Sequence, residues 1–226
     1  MRAHPMDNPV WHSLATQQSA FAIGDEYALR YSPSIAPFVA IPEDSESSRL
    51  AAATLVTSGE SVYFVGVAPR DLSGWEVLSD SYILQMMWDF ATELPSDRSD
   101  IVELSAADAP AMVELTALAF PGFFRERTVE LGRYCGIRHG DQLISMAGER
   151  MRATMFQEIS GVCTHPNYVG RGYSARLNAC MIESICKREV QPFLHVSSNN
   201  ARAQSLYRRL GFETRAELRL WHVRRL

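Results

Sequence analysis

Cysteine is scarce in this chain of 226 residues: there are four, Cys135, Cys163, Cys180 and Cys186, and no two form a C-x-x-C pair. That excludes a disulfide-stapled scaffold and leaves four buried thiols. Long apolar runs are missing as well. No stretch approaches the roughly 20 consecutive apolar residues that cross a bilayer. The opening MRAHPMDNPVWHSL has no signal-peptide core, so a cytoplasmic protein that does not enter membranes is expected. Compositional extremes are absent too: 46% hydrophobic and 21% charged residues is ordinary globular usage, which excludes a disordered or fibrous chain. The first hundred residues contain no nucleophile elbow, no Walker loop and no metal-ligand cluster.

What is present is unevenly charged. Residues 1–100 carry 14 acids and 5 bases, net −9, and residues 101–226 carry 12 acids and 17 bases, net +5, which together give the overall −4. A basic half suits an anionic ligand and an acidic half tolerates a cationic one. The stretch ELPSDRSD (93–100) combines proline, serines and alternating charge, which marks a boundary between residues 1–97 and 98–226. Upstream, EYALRY reads as a strand, SSRLAAATLVTSG as a helix ended by Gly59 and SVYFVGVA as a buried strand. In LSDSYILQMMWDFATEL, Tyr82, Met86, Phe90 and Leu94 recur at steps of four and predict an amphipathic helix. Downstream, the periodicity predicts IVEL (strand), SAADAPAMVELTALAF (helix, with Ser105 and Asp108 spaced as a capping box), two strands around His139-Gly140-Asp141-Gln142, EISGVCT (strand), a helix over 173–189, FLHVS (strand), a helix over 200–210 and a closing strand ELRLWHVRRL. The order is β-α-β-β-β-α-β-α-β, an α/β (α+β) fold preceded by a smaller α/β domain.

The informative junction is strand EISGVCT, loop HPNYVGRGY, then a helix with Tyr173, Leu177, Met181 and Ile185 on one stripe and Glu183 and Lys187 spaced as an i,i+4 pair. A glycine-containing turn that opens a helix gathers backbone N–H groups around one point, and that point attracts an anion. Gly170 and Gly172 carry no Cβ to hold a phosphate off the main chain, and Arg171 and Arg176 add charge nearby.

These residues resemble the GNAT superfamily of N-acetyltransferases, whose Q/R-x-x-G-x-G/A motif stands here as NYVGRG, with Asn167 at the Q/R position and Val169 where an arginine commonly precedes the first glycine. A second segment, NNARAQSLYRRLGF (199–212), resembles the family's N-x-x-A-x-x-L-Y-x-x-x-G-F at every position. The resemblance covers about residues 101–226, and THPNYVGRGY is most similar to the glycine-N-acyltransferase-like branch. It implies a GNAT-like mixed sheet flanked by helices. It also implies acetyl-CoA as co-substrate, an amine acceptor and direct acyl transfer with no metal. A homodimer is compatible with it, and the N-terminal part reads as a degenerate half of the same kind that shapes the amine pocket, with Trp88 or Phe90 beside it.

Residue by residue, the resemblance assigns CoA binding to Val162, Cys163, Thr164, Val169, Gly170, Arg171, Gly172, Tyr173, Ser174 and Asn200. The backbone at 162–164 faces the thioester oxygen, and Tyr207 supplies the leaving thiolate with a proton. An amine of pKa ~10 is about three units protonated at neutral pH, so exposing its lone pair costs roughly 4 kcal/mol and a base is required. Glu158, at the head of the strand leading to the loop, takes that role in this reading, with Glu149 as its competitor. His165 and His195 read as structural, and Cys163 as a buried thiol rather than an acyl carrier. The alternative is an acyl-CoA-binding sensor without turnover. Nucleic-acid binding by RLWHVRRL is not expected, because scattered bases without an aromatic platform are a weak footprint.

Overall fold

A short 3-10 turn (Pro5–Asp7) leads into helix α1 (Pro9–Ala15), and strands β1 (Ala22–Gly24), β2 (Leu29–Tyr31) and β3 (Val39–Ala40) then form a small antiparallel sheet. Helix α2 (Glu46–Leu55) and strands β4 (Ser61–Val65), β5 (Trp75–Trp88) and β6 (Ile101–Leu104) follow. After these come α3 (Ala109–Ala119), β7 (Tyr134–His139), β8 (Gln142–Ala153), β9 (Phe156–Thr164), α4 (Tyr173–Cys186), β10 (Gln191–Ser197), α5 (Ala201–Arg209) and β11 (Phe212–Arg225). The computed structural model describes residues 4–119 and 121–226. The expected end of the third helix at Phe120 lies outside the described residues.

Eight strands make one mixed sheet in the order β4-β11-β5-β10-β9-β8-β7-β6. The expected β-α-β-β-β-α-β-α-β order from β6 to β11 is observed, and Ser105 and Asp108 form the expected capping box. Helices α4 and α5 cover one face, packing Leu177, Met181, Ile185 and Tyr207 onto Leu194, Val196 and Phe212. The opposite face carries α1 and the small sheet, through Met6, Val10, Tyr31 and Phe38 against Met151, Ile83, Phe193 and Leu218. It also carries α3, through Met112 and Leu115 against Tyr134 and Met146.

The helix expected over 78–94 is instead strand β5. Of the step-of-four stripe only Met86 is core: Tyr82 and Phe90 are exposed. From Ile83 to Met87 the strand bonds to β10 on one edge and β11 on the other, so its backbone groups are satisfied across the sheet rather than within a helix. Two central partners outweigh a weak local period. Helix α2 stops at Leu55, with Val56 already extended, rather than running to Gly59. Strands β4 and β5 precede ELPSDRSD yet lie within the sheet formed by the later strands, so that stretch links elements and does not separate sheets.

Candidate active site

Strands β9 and β10 run parallel but pair only at Phe156↔Gln191, Gln157↔Pro192 and Glu158↔Phe193. Beyond that point β9 stays with β8 as far as Thr164, and β10 stays with β5 as far as Ser197. The two strands therefore splay, and among the described residues the backbone edge of β9 that faces the gap has no strand partner from Ile159 onward. A cavity of about 1010 Å³ occupies this gap. Its walls include Ile159, Val196, Tyr207 and Leu210 from the α4/α5 face and Met151, Ile83, Val65 and Phe38 from the other, so it passes through the sheet.

At the α4 end the cavity is built by the loop. Strand β9 leaves through a 3-10 turn (Pro166–Tyr168), which His165 caps by accepting the Asn167 N–H on Nδ1 at 3.2 Å, the structural role expected of it. Gly170 (φ 85°) and Gly172 (φ 80°) take left-handed angles that disfavour other residues, and a Cβ on either would meet no protein atom within 4 Å. The space beside them is open. Gly172 caps α4 without any side-chain hydrogen bond, so the N–H groups of the first turn, at Tyr173 and Ser174, have no side-chain cap. Ser174 Oγ sits 3.1 Å from Thr164 Oγ1, which is 2.8 Å from Ser145 Oγ, tying the helix start to β9 and β8.

Every residue expected to bind CoA lines this cavity: Val162, Cys163, Thr164, Val169, Gly170, Arg171, Gly172, Tyr173, Ser174 and Asn200. Asn200 also caps α5, accepting the Ala203 N–H at 3.0 Å. Arg176 does not serve as expected, because Asp97 and Asp100 hold its guanidinium. Arg202 and Arg209 of α5, which the sequence reading missed, reach the lining with Arg171 and Arg150. Among the described residues the lining has four arginines and one acid, Glu93. Glu183 pairs with Arg98 at 2.7 Å rather than with Lys187.

Tyr207 is buried on the lining, its ring edge-on to Phe212, and its hydroxyl makes no hydrogen bond among the described residues. Burial pushes its phenol above the ordinary value. Cys163 is buried and its thiol is pushed up to about 12, so the thiolate an acyl carrier needs is suppressed.

Glu158 does not reach the cavity. It is fully buried, and its oxygens accept Arg150 Nε at 2.9 Å, Arg150 Nη2 at 2.7 Å and the Met151 N–H at 3.2 Å, with His195 Nδ1 at 2.8 Å. Burial alone would raise its carboxyl, but the Arg150 charge and the hydrogen bonds outweigh it and hold the group far below the usual range. A carboxylate so stabilised is a poor proton acceptor, which corrects its assignment as the base. Glu149 is likewise buried and bound by Arg188 through both oxygens. Trp88 and Phe90 are not on the lining either: the Trp88 indole donates to Leu210 O at 2.8 Å, and Phe90 is exposed. The N-terminal part contributes Phe38, Val65 and Ile83 instead. Among the described residues no group of side chains could hold a metal ion, and no helix is long and apolar enough to cross a membrane.

A putative acetyltransferase of the GNAT family from Novosphingobium aromaticivorans is 35% identical to this chain, covers 99% of it and is itself covered over 100% of its length, with a TM-score of 0.89. This chain belongs to the GNAT family. The FR47-like protein family matches residues 134–222 of this GNAT protein, from β7 into β11. A GCN5-related N-acetyltransferase from Kribbella flavida has the same fold at 16% identity, with a TM-score of 0.61 over 96% of each chain. A Drosophila protein shares the fold at 15% identity and a TM-score of 0.64, over 88% of this chain and 73% of its own. Curated proteins gave no sequence match.

Proposed function

We propose that this GNAT protein transfers an acetyl group from acetyl-CoA directly to a primary amine of a small molecule or amino acid. The observation that carries the reading is the single cavity that joins an uncapped helix start to Tyr207 and continues through the splayed strands to the other face of the sheet. In this reading the N–H groups of Val169 to Ser174 hold the pyrophosphate. Each bond to a charged oxygen is worth about 1.5–3 kcal/mol, and Arg171, Arg202 and Arg209 add charge. The unpartnered edge of β9 near Val162 to Thr164 supplies an N–H to the thioester oxygen as negative charge develops there. Tyr207, which burial keeps protonated, donates to the departing thiolate. The acceptor enters from the Phe38, Val65 and Ile83 side. The wording THPNYVGRGY supports placement near the glycine-N-acyltransferase-like branch.

Release of free CoA from acetyl-CoA, followed with amino acids, polyamines, aminoglycosides and peptide N-termini, tests the proposal. Release dependent on one class of amine is expected. No amine-dependent release, in a protein whose melting temperature CoA still raises, would favour a CoA-binding sensor.

A further inference from the structure

On the N-terminal side the cavity wall is apolar, formed by Phe38, Val65, Ile83, Met151 and Leu220, with one cation set into it. That cation is Arg150, whose guanidinium lies over the Phe38 ring, 4.8 Å from its centre. The other lining arginines, Arg171, Arg202 and Arg209, belong to the glycine loop and α5 at the far end. Glu158 takes only the Nε and Nη2 side of the Arg150 guanidinium. Nη1 makes no hydrogen bond among the described residues. The buried polar side-chain atoms without a partner there are Asn8 Oδ1, Arg98 Nε, Gln157 Oε1 and Asn178 Oδ1, and Nη1 is not one of them. About one-tenth of the Arg150 side chain is accessible, so the two N–H groups of Nη1 open on the cavity that Arg150 lines. A cationic donor in an apolar wall calls for an oxygen to accept from it. The protein supplies none: Glu149 is bound by Arg188, and Glu93 stands in the exposed segment after β5. An acceptor with several ammonium groups would meet this donor and find no anion.

We propose that Arg150 selects the acceptor, its Nη1 donating to a carbonyl or carboxylate oxygen beside the amine, and that the acceptor is an apolar α-amino acid or its amide. The inference rests on the acetyl-transfer reading above. An α-amino acid is the smallest molecule that joins an amine, an oxygen and an apolar side chain on one carbon. The oxygen end sits at Arg150, where β9 parts from β10, and the side chain lies against Phe38, Val65, Ile83 and Leu220. The amine then points along β9 toward the unpartnered edge at Val162 to Thr164. Glu158 fixes the guanidinium in this orientation through two bonds and leaves its third nitrogen for the substrate.

The test uses the full chain and acetyl-CoA with phenylalanine and leucine, their amides, their decarboxylated amines, glycine and spermidine. In the parent, kcat/KM for an apolar amino acid or its amide is expected to exceed that for the decarboxylated amine by at least about tenfold, the effect of one charge-assisted hydrogen bond. Glycine and spermidine are expected to be poorer still, and the faster of acid and amide names the source of the oxygen. Arg150→Lys keeps a cation for Glu158 but has no second donor nitrogen, so it is expected to bring the ratio within about threefold by raising KM for the amino acid. Its KM for acetyl-CoA and its CoA-induced melting shift are expected to match the parent's. Should Arg150→Lys fold poorly, Arg150→Met with Glu158→Leu, which strands no charge, is measured in its place and is expected to lose the same preference. An active parent that turns over the decarboxylated amines, glycine or spermidine as fast as the amino acids and amides overturns the proposal. So does an Arg150 variant that folds and keeps the full preference. An inactive parent on every amine overturns the acetyl-transfer reading itself, whereas an active parent without the preference overturns the role of Arg150 alone.

Discussion

Arg150 and Glu158 meet through two parallel hydrogen bonds of 2.9 and 2.7 Å across the β8–β9 hairpin, one-tenth and one-hundredth exposed, with the Arg150 guanidinium 4.8 Å from the centre of the Phe38 ring. The pair joins the sheet to the N-terminal segment just where the strands begin to splay. A buried pair of this kind contributes little over a well-packed apolar one, but removing one partner strands the other charge.

Arg150→Ala should therefore destabilise the protein by about 3–5 kcal/mol, and Arg150→Met with Glu158→Leu by much less. Urea unfolding of the two variants and the parent checks this. Equal losses would mean that the stranded charge is not what costs.

The same pair sets an acid limb. The folded-state value of Glu158 is depressed below the unfolded value of about 4.5, so its stabilisation is fully present above that value and is lost as pH falls through and below it. Unfolding free energy measured from pH 6 downward should drop below pH ~4.5 in the parent, and less in the Arg150→Met, Glu158→Leu variant. Parallel curves would contradict the assignment.

Tyr207→Phe removes only a hydroxyl that no described residue holds. Turnover is expected to fall by at least about tenfold while the CoA-induced melting shift survives. An unchanged kcat would remove Tyr207 from the reaction.

Gly172→Ala places a side chain at φ 80°, which costs roughly 1–2 kcal/mol, and its Cβ meets no protein atom. The loss of stability should therefore be modest. Because that open space is the proposed phosphate cradle, CoA should weaken by more than the unfolding midpoint moves; protection that stays at the parent level would empty the cradle of its role.

Much of this site was legible in the sequence because it is local. PNYVGRGY and NNARAQSLYRRLGF each put their expected ligand groups on one loop or one helix, and every residue expected to bind CoA is on the cavity. What failed was long-range. Strand β5 looks helical until β10 and β11, more than a hundred residues downstream, bind both its edges. Arg176 looks like a phosphate ligand until Asp97 and Asp100 fold onto it. Glu158 looks like a free carboxylate, although Arg150 is only eight residues away, because the β8–β9 hairpin turns both side chains to the same buried face.

In the proposed reaction the acetyl group passes from acetyl-CoA to an amine without resting on the protein. Acetyl-CoA carrying an isotopic label in its acetyl group, incubated with the protein and its best amine and followed by mass spectrometry, tests it most directly. Direct transfer puts label on the amine in the same amount as CoA released and none on Cys163; label held on the protein, or appearing only as free acetate, would rule it out.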